Sequence, residues 1–133
     1  MLNLHILQWL VQNNLLQGID VDAFFEKMPL DKYGASIYAV GDDIRVSNTK
    51  SSQIFEIEYR HATDNRVAAD KLEKIAMFMR MAHPCTLPAV LNVSNRKYTH
   101  CSFNNVSNVQ NLGEDGSGHT IFKITGRIVY NKI

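Results

Sequence analysis

The stretch from Gln53 to Met81 constrains the fold more than any other part of the chain, because its hydrophobic period changes partway along. Phe55, Ile57 and Tyr59 alternate with charged residues, a pattern typical of a strand with one buried face. Apolar residues then recur at steps of three and four: Ala68, Leu72, Ile75, Ala76 and Met79. This second spacing predicts an amphipathic helix directly after the strand.

Both ends of that helix carry local signals. Thr63 or Asp64 can cap its start by accepting a hydrogen bond from a free amide of the first turn. Pro84 disfavours helical geometry in the residue before it, which predicts an end near Ala82.

An earlier helix is predicted from Asn3 to Gln17, before Gly18, because leucine, isoleucine and valine recur there at helical spacing. This segment carries no charged side chain. A surface helix normally presents charge to water, so we expect this one to be covered on more than one side. Burial by its own sheet is the simpler explanation, and contact with another subunit is the alternative.

The segments between these two helices are harder to assign. Ile19 to Pro29 fits a short strand or a small helical turn, and periodicity cannot decide over so few residues. Ala35 to Val40 has the composition of a strand, and Gly41-Asp42-Asp43 is predicted to turn after it. Ile44 to Ser52 is polar and is predicted to be a mobile loop.

Two strands are predicted after the second helix. His83 to Val90 contains two prolines and is interpreted as a connection. Asn95 to Phe103 fits a polar strand, and Asn104 to Ser117 is rich in loop residues. Thr120 to Tyr130 alternates cleanly, and Gly126 within it indicates a bulge or a close backbone approach.

These elements predict an α+β fold in one domain spanning residues 1–133. The expected order is α-β-β-β-α-β-β, with two main helices packed on a single mixed or antiparallel sheet of about four to five strands.

Composition narrows the possible functions. With 14 basic and 13 acidic residues the formal net charge is +1, so no cationic footprint for nucleic acid is indicated. Two cysteines without a secretory signal favour a reducing compartment and predict no disulfide. No apolar run is long enough for a membrane span, so we expect a soluble chain without membrane contact.

No constellation of residues predicts catalysis. Four side chains could in principle bind a metal: His83, Cys85, His100 and Cys101. Neighbours on a strand point to opposite faces, so His100 and Cys101 cannot share an ion unless the strand breaks there. The pair Asp42-Asp43 has no second carboxylate assignable to the same cleft. We therefore expect no enzyme activity, no cofactor and no metal.

Two segments resemble phage tail-terminator proteins, a family of long-tailed phages that includes proteins described as minor capsid proteins. The first is FEIEYRHATDNRVAADKLEKI, at residues 55–75, and the second is NLGEDGSGHTIFKITGRIVY, at residues 111–130. The early helix before Met28-Pro29 is also similar to the family pattern. The Asn-rich stretch from Asn104 to Asn111 and the connection from His83 to Val90 depart from it.

The resemblance implies a structural virion protein without enzyme activity. Such a protein forms a ring, usually a hexamer, on the completed tail tube in the host cytoplasm, ends tail polymerisation and takes part in head-tail joining. Its partners would be other copies of itself, the tail-tube protein and a head-completion or connector protein. We expect helix one or the edge strand after Gly118 to pack against a neighbouring subunit. The candidate interface residues are Trp9, Asp42, Asp43, Arg45, Lys50, Glu114 and Asp115.

Two alternatives remain open from the sequence. One is a different neck component, namely a head-completion or stopper protein. The other is a small enzyme or ligand-binding domain in which His61, His83 or the acidic turn lines a pocket.

Overall fold

The computed structural model describes residues 2–25, 28, 32–61, 64–82, 84–114, 116 and 118–131, and for Asp42 it describes the backbone alone. Within this part the chain forms two helices and seven strands. In chain order these are α1 (Leu2–Gln12), β1 (Ala23–Phe25), β2 (Gly34–Arg45), β3 (Lys50–Arg60), α2 (Asn65–Met81), β4 (Cys85–Leu87), β5 (Tyr98–Asn104), β6 (Gln110–Glu114) and β7 (Thr120–Asn131).

The strands form one mixed sheet in the spatial order β1-β2-β3-β7-β5-β4, and β6 also pairs with β7. β1 runs parallel to β2, and the other pairings are antiparallel. β3 and β7 pair from Lys50 opposite Asn131 to Tyr59 opposite Phe122. This long central ladder fixes the position of every other strand.

The core lies between one face of the sheet and the two helices. Trp9 of α1 contacts Phe78 of α2 and Phe103 of β5, with ring centroids 4.9 and 5.1 Å apart, so both helices cover the same face. Phe103 also meets Phe55 of β3 edge to face. The apolar residues of β3 that the sequence placed on one side are all buried. Burial of this face is the main stabilising term of such a fold.

The predicted α+β class is confirmed, as are the strand and helix from Gln53 to Met81. Asp64 caps α2 by accepting a 2.9 Å hydrogen bond from the amide of Arg66. Thr63 lies outside the described residues. α2 ends at Met81 with Ala82 as its cap, where the proline signal placed it.

The expected strand count of four to five is wrong, because it is too low. β4 was interpreted as part of a connection, and β6 as part of a loop. Both are short, and every residue of β6 is exposed, so neither leaves a hydrophobic alternation in the sequence.

Two predicted boundaries are also wrong. α1 ends at Gln12 instead of Gln17, because Asn14 adopts a left-handed conformation with φ 63°. Gly41-Asp42-Asp43 is not a turn. It lies inside β2, where the register against β3 shifts between Val40 and Ile44 and φ of Gly41 is 73°. The glycine that suggested a turn instead supplies the positive φ of a bulge.

Candidate functional site

The far half of the β2–β3 hairpin, residues 38–54, carries a long exposed run among the candidate regions, at residues 39–41 and 43–49. β1 covers the outer edge of β2 at Ala35, Ser36 and Ile37 alone, as far as the structure describes the chain. Beyond that point the outer edge of β2 has no paired strand among the described residues, whereas β3 stays paired with β7 as far as Lys50 and Asn131. The predicted mobile loop from Ile44 to Ser52 is therefore mostly strand, with a short connection at residues 46–49.

Local hydrogen bonds organise the tip of this hairpin. The Ser47 hydroxyl accepts hydrogen bonds from the amides of Thr49 and Lys50, at 3.3 and 3.2 Å. Arg45 donates to the Asn48 side chain at 2.5 Å and to the Ser47 carbonyl at 3.3 Å. Such side-chain bonds replace the ladder where the chain reverses, so the tip is a defined turn.

Three apolar side chains of the hairpin are exposed to solvent. Val40 is 40% exposed, Ile44 54% and Val46 57%. Scattered exposed apolar residues are ordinary, but these three lie within seven consecutive positions at the outer edge of the sheet, and we treat them as one patch. The bulge between Val40 and Ile44 interrupts the open edge of β2, which disfavours extended strand pairing with another chain. Association through this surface would therefore use its side chains and not its backbone.

The structure brings several predicted interface residues together at this end of the sheet. The Asp43 carboxylate accepts a 2.5 Å hydrogen bond from the Tyr130 hydroxyl, and Lys50 Nζ lies 3.3 Å from the Asn131 amide oxygen. Burial raises the pKa of Tyr130, and the bond to Asp43 raises it further. Asp43 thus ties the hairpin to the end of β7. The side chain of Asp42 is not among those described.

The remaining predicted residues lie elsewhere. Glu114 is exposed at the end of β6 and pairs in register with Thr120, at the opposite end of β7 from the hairpin tip. Asp115 falls outside the described residues. The structure therefore does not unite the acidic turn with the hairpin.

Trp9 is buried in the core between Phe78 and Phe103. Most of α1 is buried within the single chain, including Leu2, Ile6, Leu7 and Leu10. This burial accounts for the absence of charge in α1 without a second subunit. That Trp9 takes part in an interface stays a prediction. The uncharged character of α1, which motivated it, is explained by burial within the chain.

β7 is not the open edge strand that the sequence suggested. It pairs with β3 on one side and with β5 and β6 on the other. Between those two partners, the Ser107 amide donates to the Thr125 carbonyl at 2.8 Å, and the Thr125 amide donates to the Ser107 hydroxyl at 2.9 Å. The expectation that this strand pairs with a neighbouring subunit through a free edge is wrong for the described residues.

A second apolar surface was missed by sequence reasoning. It is a groove of about 450 Å³ between α1, the segment 19–25 and the turn 90–93. Its lining residues are Leu4, Gln8, Ile19, Asp20, Phe25, Val90, Leu91 and Val93. Leu91 is 85% exposed at its rim. Apolar residues in the predicted connections were the available signal, but only the folded chain brings the three segments together.

Three of the four residues considered as metal ligands lie in the described part of the chain. Cys85 and Cys101 lie opposite each other on β4 and β5, His100 contacts Asn131 at 3.0 Å, and His83 is outside the described residues. Among the residues described, no group of three or more His, Cys, Asp or Glu side chains is placed to hold a metal ion.

Neither described helix combines the length and the apolar character that crossing a membrane requires. A search with models of known protein families and a search of curated proteins both find no match to this chain.

Proposed function

We propose that the protein assembles with copies of itself into a closed ring, and that this ring caps the tail tube of a long-tailed phage. The observation that carries the proposal is the open edge of β2 in the far half of the β2–β3 hairpin, where Val40, Ile44 and Val46 are exposed. Exposed apolar side chains grouped at an open edge are stabilised by burial against a partner.

The chain also carries a second surface, a groove, that suits this exposed edge. The hairpin ends in an exposed connection at residues 46–49, whereas the groove lined by Phe25, Leu91 and Val93 is a concavity of mixed apolar and polar character. A contact between two different surfaces on identical subunits is heterologous, and it generates a ring when the rotation between subunits closes. Insertion of one subunit's hairpin into the next subunit's groove would make such a contact. A hexamer is the ring size that the family resemblance implies.

The ends of the sheet suggest how the ring would meet its partners. Arg45 and Asn48 lie at the hairpin tip, and Glu114 lies at the other end of β7. β7 has 12 residues, so these ends are separated by about 36 to 40 Å. Two polar surfaces at this separation suit one contact with the tail-tube protein and another with a head-completion or connector protein. The ring would then act in the virion at the head-tail junction, without enzyme activity, after assembly in the host cytoplasm.

The decisive experiment uses one variant for each proposed surface. Ile44→Asp places a charge on the hairpin, and Leu91→Asp places one on the groove. Val67→Asp is the matched control, because Val67 is 43% exposed on α2, away from both surfaces. Light scattering and negative-stain imaging should show rings for the wild type and the control. Each of the two other variants should associate at least about tenfold more weakly, since a buried unpaired charge costs more than 1.4 kcal/mol.

Mixing the two interface variants tests whether the contact is heterologous. The Ile44→Asp subunit keeps its groove and the Leu91→Asp subunit keeps its hairpin, so an equimolar mixture can form one intact contact per pair. The expected product is a dimer and not a ring. A wild type that stays monomeric at every concentration, or interface variants that form rings like the control, would remove the proposal.

A phage-level experiment separates the tail terminator from another neck component. Deleting the gene should give tails of unregulated length if the protein ends polymerisation. Tails of normal length that lack heads would instead favour a head-completion or stopper protein.

A further inference from the structure

The two cysteines of the chain face each other across neighbouring strands, although they are 16 positions apart in sequence. Cys85 on β4 is in direct register with Cys101 on β5. Opposite residues of an antiparallel pair have Cβ atoms about 4.5 to 5.5 Å apart, and a disulfide needs about 3.5 to 4.5 Å. β4 is a three-residue strand at the edge of the sheet, so it is well placed to make this small approach. Both thiols are free in the structure.

A bulge in β5 creates this pairing. Leu87 pairs with Tyr98 and Cys85 with Cys101, so β5 contributes one more residue than β4 between the two pairs. His100 lies within the extra length and has φ 52°. As a result Tyr98 and Cys101 are both buried, although regular alternation would place residues three positions apart on opposite faces. The strand irregularity thus turns Cys101 inward beneath Cys85.

The two thiols differ in access to solvent. Cys101 is fully buried, and its sulfur lies 3.4 Å from the Tyr98 carbonyl oxygen. Cys85 is half-buried and lines a shallow cleft of about 210 Å³ with Pro84, Thr86, Thr99 and His100. An incoming reagent can therefore reach Cys85 but not Cys101.

The contact between the thiols also assigns them different reactivity. Contact with the Cys101 thiol lowers the pKa of Cys85, whereas the same contact and then burial raise the pKa of Cys101. A thiolate is the attacking form of cysteine, so Cys85 is the first nucleophile by both access and charge state.

We propose that Cys85 and Cys101 are a redox pair that forms a reversible disulfide within one chain when it meets a low-molecular-weight disulfide. The Cys85 thiolate attacks one sulfur of that reagent, breaks its S–S bond and releases one thiolate. Cys101 then gives its proton to the thiolate released first and attacks Cys85 Sγ, which breaks the mixed disulfide and expels the second thiolate. The protein pair loses two electrons, and the reagent is reduced to two thiols.

The consequence is a covalent link between the edge strand β4 and β5. This site does not depend on the ring, since it needs nothing beyond a single folded chain. His100, which precedes Cys101, lies 3.0 Å from the side chain of Asn131.

Oxidised glutathione is the probe for the test. The full-length protein is incubated in buffers of graded glutathione redox ratio, remaining thiols are alkylated, and intact mass is recorded. The wild type should lose both alkylatable thiols without gaining glutathione. Half-oxidation should occur at a ratio of reduced to oxidised glutathione at least about tenfold more reducing than for the same chain in urea, because folding aligns the two sulfurs. Equal values for the folded and unfolded chain would overturn the proposal.

Two variants assign the roles. Cys101→Ser should accumulate a mixed disulfide on Cys85, because no second thiol can displace the glutathione. Cys85→Ser should take up glutathione at least about tenfold more slowly than Cys101→Ser, because the remaining thiol, Cys101, is buried. Circular dichroism checks that each variant is folded, and the wild-type comparison does not depend on either. Wild-type protein that keeps two alkylatable thiols, or that forms disulfide-linked dimers instead, would contradict the internal pair.

Discussion

Gly34 is the residue at which the packing of β1 on β2 leaves least room. A Cβ built there would overlap the backbone of Asp22, and φ of Gly34 is 140°. The Asp22 carbonyl accepts a 2.8 Å hydrogen bond from the amide of Ala35, which holds the two segments together at that distance. Both space and backbone conformation therefore require glycine.

Gly34→Ala is expected to destabilise the fold by about 2 kcal/mol, because a residue with a side chain is strained at this φ and collides with a rigid backbone. Urea denaturation measures the change. Gly116→Ala is the control, since nothing lies within 4 Å of its Cβ position and its φ is not in the left-handed range. Equal stability of the two variants would show that the Asp22 segment moves aside without cost.

Gly126 shows what single residues reveal in a sequence. A glycine inside a clean alternation predicted a bulge or a close backbone approach. In the structure a Cβ there would lie 2.7 Å from the ring of Phe55, so the close contact is with a side chain and not with another backbone. The pairing of β3 with β7 continues past Gly126 without a shift. No sequence signal of this kind marks Gly34, because the Asp22 backbone that it contacts lies in an earlier segment of the chain.

At the level of elements, a strong hydrophobic period was sufficient to predict a helix or a strand from the sequence, and a weak period was not. α2 has a long hydrophobic pattern and a cap, and β3 has a long alternation, so their own residues determine them locally. β4 and β6 exist because other strands offer them a paired edge, and their own three and five residues carry no pattern. The bulges in β2 and β5 escaped prediction for the same reason: each is fixed by register against a partner strand.

The cap of α2 gives a prediction that depends on pH. The bond from the Arg66 amide lowers the pKa of Asp64 below its ordinary value of 3.8. A carboxyl group whose pKa is lower in the folded chain stabilises the fold above its unfolded pKa, and this contribution disappears as pH falls through the folded pKa. Asp64→Ala should therefore lower Tm at pH 7, and the difference from wild type should shrink in strong acid.

Asp70→Ala is the matched control for the cap. Asp70 is an exposed acid inside the same helix, and alanine is the better helix former. No loss of Tm is expected for it at pH 7. Parallel pH dependences of the two variants would argue that Asp64 acts through general charge and not through the cap.

For the whole molecule, the order of strands in the sheet could not be predicted from the sequence. Strand order depends on long-range pairings such as Glu58 with Lys123, and a single sequence records no pairing between distant segments. The candidate site shows the same limit. The sequence indicated polar positions around residues 42–50, but the exposed hairpin patch and the groove arise only once distant segments are placed together.

The central position of β7 predicts how the molecule opens. β7 is paired on both sides and meets buried residues of β3, whereas β6 is exposed along its whole length. Hydrogen exchange should therefore be slowest for amides of β3 and β7, such as Ile57 and Ile124, and faster for β6, because peripheral strands open without global unfolding. Uniform protection of the seven strands would contradict this order.

Raising the protein concentration extends the same measurement to the proposed ring. If the hairpin inserts into a neighbouring groove, exchange should slow in residues 38–46 and around Leu91, and it should stay unchanged in β6. Ile44→Asp should abolish both slowed regions together, because each belongs to the same contact. Slowing at one region alone, or in β6, would mean that copies of the chain meet through a different pair of surfaces.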